Sequence, residues 1–417
     1  MVNSNITNKK KVNAIPKSAS NAGNLHFLEF VLIVFFFAYY LLPAVNLAVT
    51  YLVALLLAIF YVVYIFIREP EWQITLAGFL LITFSISLLF YFLTDGRTIA
   101  LDVSNRELKR ISAEMSHYFM MIFPACLFVR IYAKASKSQK RWLCIIAVAL
   151  FSVVIINTFS ELMTNETASK NWAEFTTQNE NNVGTYSFVY SVPMLVTALT
   201  ALMYTQKGSV KVLVVAVIVF LFMFLFSAQY TLAVLMSVIG IALQISANIK
   251  SAAAKLLLWI MFISLLFLMP SIFEYLSEVI ESKQISIRFK ELAAFFEGGD
   301  ASGYNLNGRF KLYWKSITAF FQSPIIGNRN IGFDGHATLL SMPANIGILG
   351  LVGIWILLVK SYKYVSSFMG ERKKQFKPVF VCLIIMGFTN PIHAAITALF
   401  GSWLMAPMII KIGDKNG

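Results

Sequence analysis

Charge is what this sequence has least of. Asp, Glu, Lys and Arg make up 13% of the 417 residues, while apolar residues reach 58% and mean hydropathy is +0.73. A water-facing surface needs roughly a quarter of its residues charged, so a soluble domain of this size is excluded. Cysteine is scarce as well. Cys126, Cys144 and Cys382 all lie inside apolar runs, without metal-ligand spacing or a disulfide framework, which leaves them packing roles. No G-x-x-x-x-G-K-[ST] occurs, and the longest basic loop, Lys360–Lys377, has no Gly-rich phosphate cradle; ATP-driven transport by this chain alone is not expected. The lack of a repeat at fixed period argues against transporter folds built from inverted halves. The first 25 residues are polar and basic (Lys9, Lys10, Lys11, Lys17) and lack an apolar core followed by a cleavage site, which predicts a disordered cytoplasmic tail and not a signal peptide.

What the sequence does have is repeated apolar runs of about 17–22 residues, long enough to cross a hydrocarbon core of about 30 Å as helices. The expected fold is an all-α polytopic membrane protein of about twelve transmembrane helices. The runs are 27–45, 48–67, 73–93, 116–132, 142–160, 184–204, 211–227, 229–248, 256–270, 340–359, 378–391 and 393–410. This divides the chain into a basic tail (1–25), nine spans with short loops (26–270), a large extracytoplasmic loop (271–339), and three spans with a short tail (340–417).

Orientation follows from the basic residues of the loops. With the N-terminus inside, the inner segments hold 22 of the 34 Lys and Arg but only 5 of the 20 Asp and Glu. Both termini are therefore expected in the cytoplasm. Lysine follows this trend and arginine does not: Arg97, Arg106, Arg110, Arg288, Arg309 and Arg329 all fall outside. Any one of them can be ordinary loop surface. Together they suggest an anionic ligand on the outer face, because the planar guanidinium binds phosphate with two parallel hydrogen bonds. Two shorter outer loops precede the main one. Thr94–Met115 carries Arg97, Arg106 and Arg110 and reads as a surface helix. Leu162–Val183, rich in Asn, Thr and Glu, reads as an exposed loop able to touch sugar, or as a plain connector.

The loop from Ser271 to Leu339 is too polar to span and too apolar for disorder. Ile285, Ile287, Phe289, Leu292, Phe295 and Phe296 recur along one side of an expected helix that ends at Gly298-Gly299-Asp300. A second amphipathic run, Phe310 to Phe321, stops at Gln322-Ser323-Pro324. Such helices lie in the headgroup layer, or cap the bundle, or do both.

Asn307-Gly308-Arg309, the aromatic amphipathic run, Ser323-Pro324-Ile325-Ile326-Gly327, a Gly-rich turn, His336 and Asn345-Ile346-Gly347-Ile348-Leu349-Gly350 follow in that order. This order resembles the O-antigen ligase/polymerase superfamily, and within it the bacterial repeat-unit polymerases (Wzy-like). The resemblance in motif covers residues 285–350; the topology agrees over the whole chain. It implies a metal-independent glycosyltransferase in the bacterial cytoplasmic membrane. The substrate would be an undecaprenyl-pyrophosphate-linked oligosaccharide for O-antigen (lipopolysaccharide), capsule or exopolysaccharide. No cofactor and no nucleic acid would be involved, and a chain-length regulator and a flippase of the same pathway would be partners. One departure stands: a Ser-Arg pair is frequent upstream in the family, whereas the run here is Phe226-Ser227-Ala228-Gln229-Tyr230-Thr231, without arginine.

Transfer from a pyrophosphate requires stabilisation of the leaving diphosphate and removal of a proton from the attacking hydroxyl. Well-placed donors are commonly worth on the order of 10²-fold or more each. Arg309 and Arg288, on the two interfacial helices, are the expected pyrophosphate ligands, with Arg329 third. His336, after Gly332-Phe333-Asp334-Gly335, suits the base, since an imidazole ordinarily titrates near neutrality. Asp334 would orient it or serve as base itself. His117, Tyr230 and His393 are expected to line the cavity. A ligase acting on another acceptor uses the same chemistry. A lipid-linked oligosaccharide flippase would instead gather charge inside its spans, which are nearly free of it here. A non-catalytic binding or regulatory membrane protein is the remaining reading.

Overall fold

The computed structural model describes residues 24–68, 120, 123–165, 168, 182–228, 230–279, 286, 289–290, 293–294, 306–325, 327, 337–390, 392 and 395–412. Every element among them is helical. The first is α1 (Phe27–Leu41), an apolar run with Glu29 in its first turn. Pro43 opens α2 (Pro43–Ala48) at a first-turn position where a missing N–H costs nothing. The run expected as one span is therefore two helices jointed at Leu42. α3 (Tyr51–Arg68) returns, and residues 123–134 are again helical.

Ser136 starts α4 (Lys137–Thr164) with a capping box: Gln139 N–H donates to Ser136 Oγ, and Gln139 Oε1 accepts from Ser136 N–H. This satisfies two of the donors that a helix start leaves open. The same Gln139 side chain exchanges two 3.0 Å hydrogen bonds with the backbone of Leu25, tying the beginnings of α1 and α4 together. Next come α5 (Tyr186–Val189), α6 (Val192–Met203), α7 (Gly208–Ser227) and α8 (Thr231–Asn248). α9 (Ala252–Val279), α10 (Leu306–Gln322), α11 (Thr338–Met369) and α12 (Lys373–Thr389) follow. α13 (Ile396–Phe400) leads through a π-helical turn, Gly401–Met405, into α14 (Ala406–Ile412). The core is aromatic: Phe36, Phe37, Tyr39, Tyr40, Phe123, Phe188, Phe400 and Trp403 are all but fully buried.

Hydrogen bonds fix which helix ends lie together. Near the start of α1, Glu29 accepts two bonds from Arg130, at 2.6 and 3.1 Å, and one from Tyr61 Oη at 3.0 Å. Near its end, Tyr40 Oη donates to Met120 O. The bundle thus has a Glu29 end and a Tyr40 end. At the Glu29 end Lys411 Nζ donates to Phe368 O, close to the end of α11, and Lys411 and Lys140 both stand over the Tyr132 ring. Gln244 of α8 donates to Gln375 O, in the first turn of α12. The lysines that open α4 and α12 gather here. At the Tyr40 end Thr397 Oγ1 donates to Tyr40 O.

The outward faces are apolar. Val212, Leu213, Val219, Phe220, Met223 and Phe226 of α7, and Leu256, Leu257, Ile260, Met261, Phe267 and Leu268 of α9, are exposed. At about 1.5–3 kcal/mol per large apolar side chain left in water, either row would forfeit much of the about 5–15 kcal/mol that holds a domain together. Such a surface belongs against hydrocarbon. By length and composition, three helices among the described residues suffice to cross a membrane: Lys137–Thr164, Tyr186–Met203 and Gly208–Ser227. The bent pair Ala252–Leu265 and Phe267–Val279 makes four if taken as one span. Phe27–Leu41, Leu52–Ile65, Leu232–Asn248 and Ile396–Ile412 are apolar but shorter. The expected run 73–93 lies outside the described residues.

Two helices run on well past the ends expected for them. The helix expected to end at 270 continues to Val279, with a bend of 45°; Pro270 removes one N–H and crowds the preceding turn without ending the helix. The run expected at 340–359 continues to Met369 and breaks at Gly347.

Candidate functional site

The termini of several helices converge at the Tyr40 end, and Asn390 lies at their centre. Because it precedes proline, Asn390 is held extended (φ −144°, ψ 157°), which ends α12 there. Its side chain is buried and bonded at both its oxygen and its nitrogen: Oδ1 accepts from Tyr186 Oη at 3.0 Å, and Nδ2 donates to Thr389 Oγ1 at 3.1 Å. Its carbonyl accepts from Thr338 N–H, in the first turn of α11, at 3.1 Å. Beside it, Thr397 N–H donates to Ser187 Oγ at 2.9 Å. The Thr338 and Thr397 N–H groups and the Asn390 carbonyl are orphan backbone groups of helix ends, satisfied by each other or, for Thr397, by the Ser187 side chain.

Three tyrosine rings stand over this layer. Tyr186 and Tyr190 have centroids 4.6 Å apart, and Tyr230, immediately before α8, lies 6.2 Å from Tyr186 and 5.8 Å from Tyr190. Tyr186 and Tyr230 are half-buried. Rings with attached hydroxyls suit the flat apolar faces and polar edges of sugars. Asn182, at φ 54°, accepts from Ala44 N–H at 3.0 Å, and Gly184 N–H donates to Thr158 Oγ1 at 2.6 Å. The end of the Asn-rich loop is thereby stitched to the bundle.

α10 lies across this end. It starts at Leu306, four residues before the apolar periodicity suggests, and ends at Gln322 as expected. Ser316 and Ala319 form its buried face, and Tyr313 Oη donates to Thr389 O at 3.0 Å, one residue from Asn390. Gly347, inside α11, has φ 67° and ψ −167°, a region essentially open to glycine alone. The break turns the Ile348 N–H out of its own helix, and it donates to Pro324 O at 2.8 Å. Beyond Pro324 the chain turns so that Gly327 N–H donates to Ser323 O, with Gly327 at φ 74°. The Ser323–Gly327 and Asn345–Gly350 segments, picked out separately in the sequence, are therefore bonded to each other.

Of the residues expected to act, Arg309 belongs to the first turn of α10 and Tyr230 to the tyrosine cluster. His336, Asp334, Arg288, Arg329, His117 and His393 lie outside the described residues. Phe289, from the first amphipathic run, packs on Phe273 of α9 with ring centroids 5.7 Å apart. Among the described residues no group of three His, Cys, Asp or Glu side chains is placed to hold a metal ion.

Sequence reading missed Asn390, Tyr186 and Tyr190. It also missed the Glu29–Arg130 pair, 6% and 4% exposed and the one ion pair among the described residues. Each member of that pair stands as an isolated charge in an apolar run, the signal that could have revealed it. The two charges cancel at the lysine-rich end, away from the tyrosine cluster. No family model and no curated protein sequence matches the chain.

Proposed function

We propose that this chain is a polysaccharide polymerase joining undecaprenyl-pyrophosphate-linked oligosaccharide repeat units on the outer face of the bacterial cytoplasmic membrane. In this reading it is a multi-pass protein of about twelve spans with both termini cytoplasmic. The lysine-rich end faces the cytoplasm, as basic loops do, and the tyrosine end with α10 faces outward. The observation that carries the reading is the Ile348–Pro324 bond, which joins two motif segments behind the helix bearing Arg309.

In the reaction, the bond between the anomeric carbon of the donor sugar and the diphosphate oxygen breaks. The electron pair leaves with the lipid diphosphate, whose growing charge Arg309, Arg288 and Arg329 offset. The acceptor hydroxyl attacks that carbon and gives its proton to His336, with Asp334 orienting the imidazole or taking the proton itself. Tyr230 and Tyr186, backed by the buried Tyr190, and His117 and His393 line the sugar path.

A ligase would use the same groups on a different acceptor. A flippase would carry charge around a central cavity; the buried charge found here is instead a self-neutralised pair at the other end. The deciding experiment incubates purified protein with a synthetic lipid-pyrophosphate repeat unit. A ladder of products is expected and is expected to survive EDTA. Single transfer to another acceptor means a ligase, and no transfer favours the flippase. Loss of activity restored by a divalent ion would make ligands of carboxylates such as Glu161 or Asp300.

A further inference from the structure

α10 is held from beneath by Tyr313, Ser316 and Ala319, and its opposite face is neither polar nor apolar. Lys311, Trp314, Lys315, Thr318, Phe321 and Gln322 are all exposed. At about 100° per residue they fill one continuous arc of about 120°. Trp314 and Phe321, 70% and 72% exposed, occupy one edge of it; Lys311 and Lys315 lie in the middle and on the other edge. Ile325, 64% exposed, follows three residues beyond the helix. A large indole and phenyl in water beside two ammonium groups is an unfavourable surface for an aqueous loop. It matches the boundary layer of a bilayer, where rings sit below the phosphates and lysine stems reach up to them.

We propose that this face of α10 is a docking surface for anionic phospholipid, with Lys311 and Lys315 bonding phosphodiester headgroups while Trp314, Phe321 and Ile325 enter the acyl boundary. Charge decides the occupant. No carboxylate shares the arc, so a zwitterionic headgroup brings an ammonium or choline against the two lysines, and an anionic one does not. The proposal rests on the chain being a membrane protein, and on nothing about glycosyl transfer. Its consequence for the reading above is positional: it fixes the helix bearing Arg309 at the depth of lipid-linked phosphates.

The test uses the full chain carrying Thr318→Cys, with Cys144→Ala to remove the half-buried thiol, labelled with an environment-sensitive dye. The labelled protein is reconstituted in vesicles of phosphatidylcholine and phosphatidylglycerol in equal parts. Bromine is placed on the acyl chains of one lipid or of the other. Quenching by brominated phosphatidylglycerol should exceed quenching by brominated phosphatidylcholine, with a preference approaching about fivefold per lysine near an anionic surface. In Lys311→Gln/Lys315→Gln the preference should vanish while quenching itself persists, and Lys311→Arg/Lys315→Arg should retain it. Equal quenching by the two lipids in the parent chain overturns the charge argument. No quenching by either means that water, a second copy or another protein covers the face, and overturns the proposal. Turnover is not read, so a chain that binds anionic lipid without polymerising sugar would refute only the enzymatic reading.

Discussion

Replacing Arg309 with lysine keeps a positive charge at the first turn of α10 but loses the planar fork that bonds two phosphate oxygens at once. Arg309→Lys should therefore lose nearly as much transfer as Arg309→Ala, and both should weaken donor binding; rescue by lysine would reduce Arg309 to a source of field. His336→Ala should behave differently, slowing transfer with donor binding largely intact, since a base acts chiefly in the transition state. Measuring donor binding on both variants separates the roles, and a reversed pattern would exchange them.

At the opposite end, the Glu29–Arg130 pair is buried and closely bonded. Glu29→Gln or Arg130→Met alone strands a buried charge and should cost about 3–5 kcal/mol. The combined change Glu29→Leu/Arg130→Met/Tyr61→Phe, which also removes the hydroxyl that donates to Glu29, should recover most of that, read as the yield and thermal stability of folded protein in detergent. If the single changes are harmless, the pair is not part of what holds the helices together. Tyr230 stood out in the sequence because it sits in the run set against the Ser-Arg pair of the O-antigen ligase/polymerase superfamily, and its ring lies beside those of Tyr186 and Tyr190. Asn390 was not, because a hydropathy reading sees Asn390-Pro391 only as a gap between spans. Its role depends on helices whose ends meet there only in three dimensions.

Among the elements, α10 was the most legible, since its apolar periodicity and the Ser323-Pro324 stop both lie within one segment. Its extra first turn, from Leu306, carries no periodic signal. The overrun of α9 past Pro270 and the break in α11 at Gly347 were not legible. A proline marks a bend or an end with equal force, and a lone glycine in an apolar run does not announce a positive φ. Gly347 gives a direct test of the joint between motif segments. Gly347→Ala forces a side chain into a conformation costing about 1–3 kcal/mol and should free the Ile348–Pro324 bond. The Ile348 amide, the donor of that bond, and the amides flanking Pro324 should then exchange hydrogens faster and transfer should fall, with the far ends of α11 and α12 unchanged. Unaltered exchange there would mean that the bond does not hold α10 in place.

For the whole molecule, the scarcity of charge together with long apolar runs specified helices with apolar outer faces, which is what the described residues form. The number of crossings did not follow as simply. Pro43 and Gly347 break helices inside runs that hydropathy treats as continuous, α9 bends and runs on past Pro270 where its run was expected to end, and several apolar helices are shorter than the runs that predicted them. Sidedness is the remaining property of the whole, and the orientation proposed rests on how lysine and arginine are distributed along the sequence. It is tested by impermeant thiol labelling of intact cells carrying either Thr164→Cys, exposed at the end of α4 on the side of the tyrosine cluster, or Lys374→Cys, exposed at the start of α12, with Cys144 replaced by alanine in both. Thr164→Cys should label in intact cells, and Lys374→Cys only after the membrane is opened. The opposite order would put α10, Arg309 and the tyrosine cluster in the cytoplasm and contradict polymerisation on the outer face.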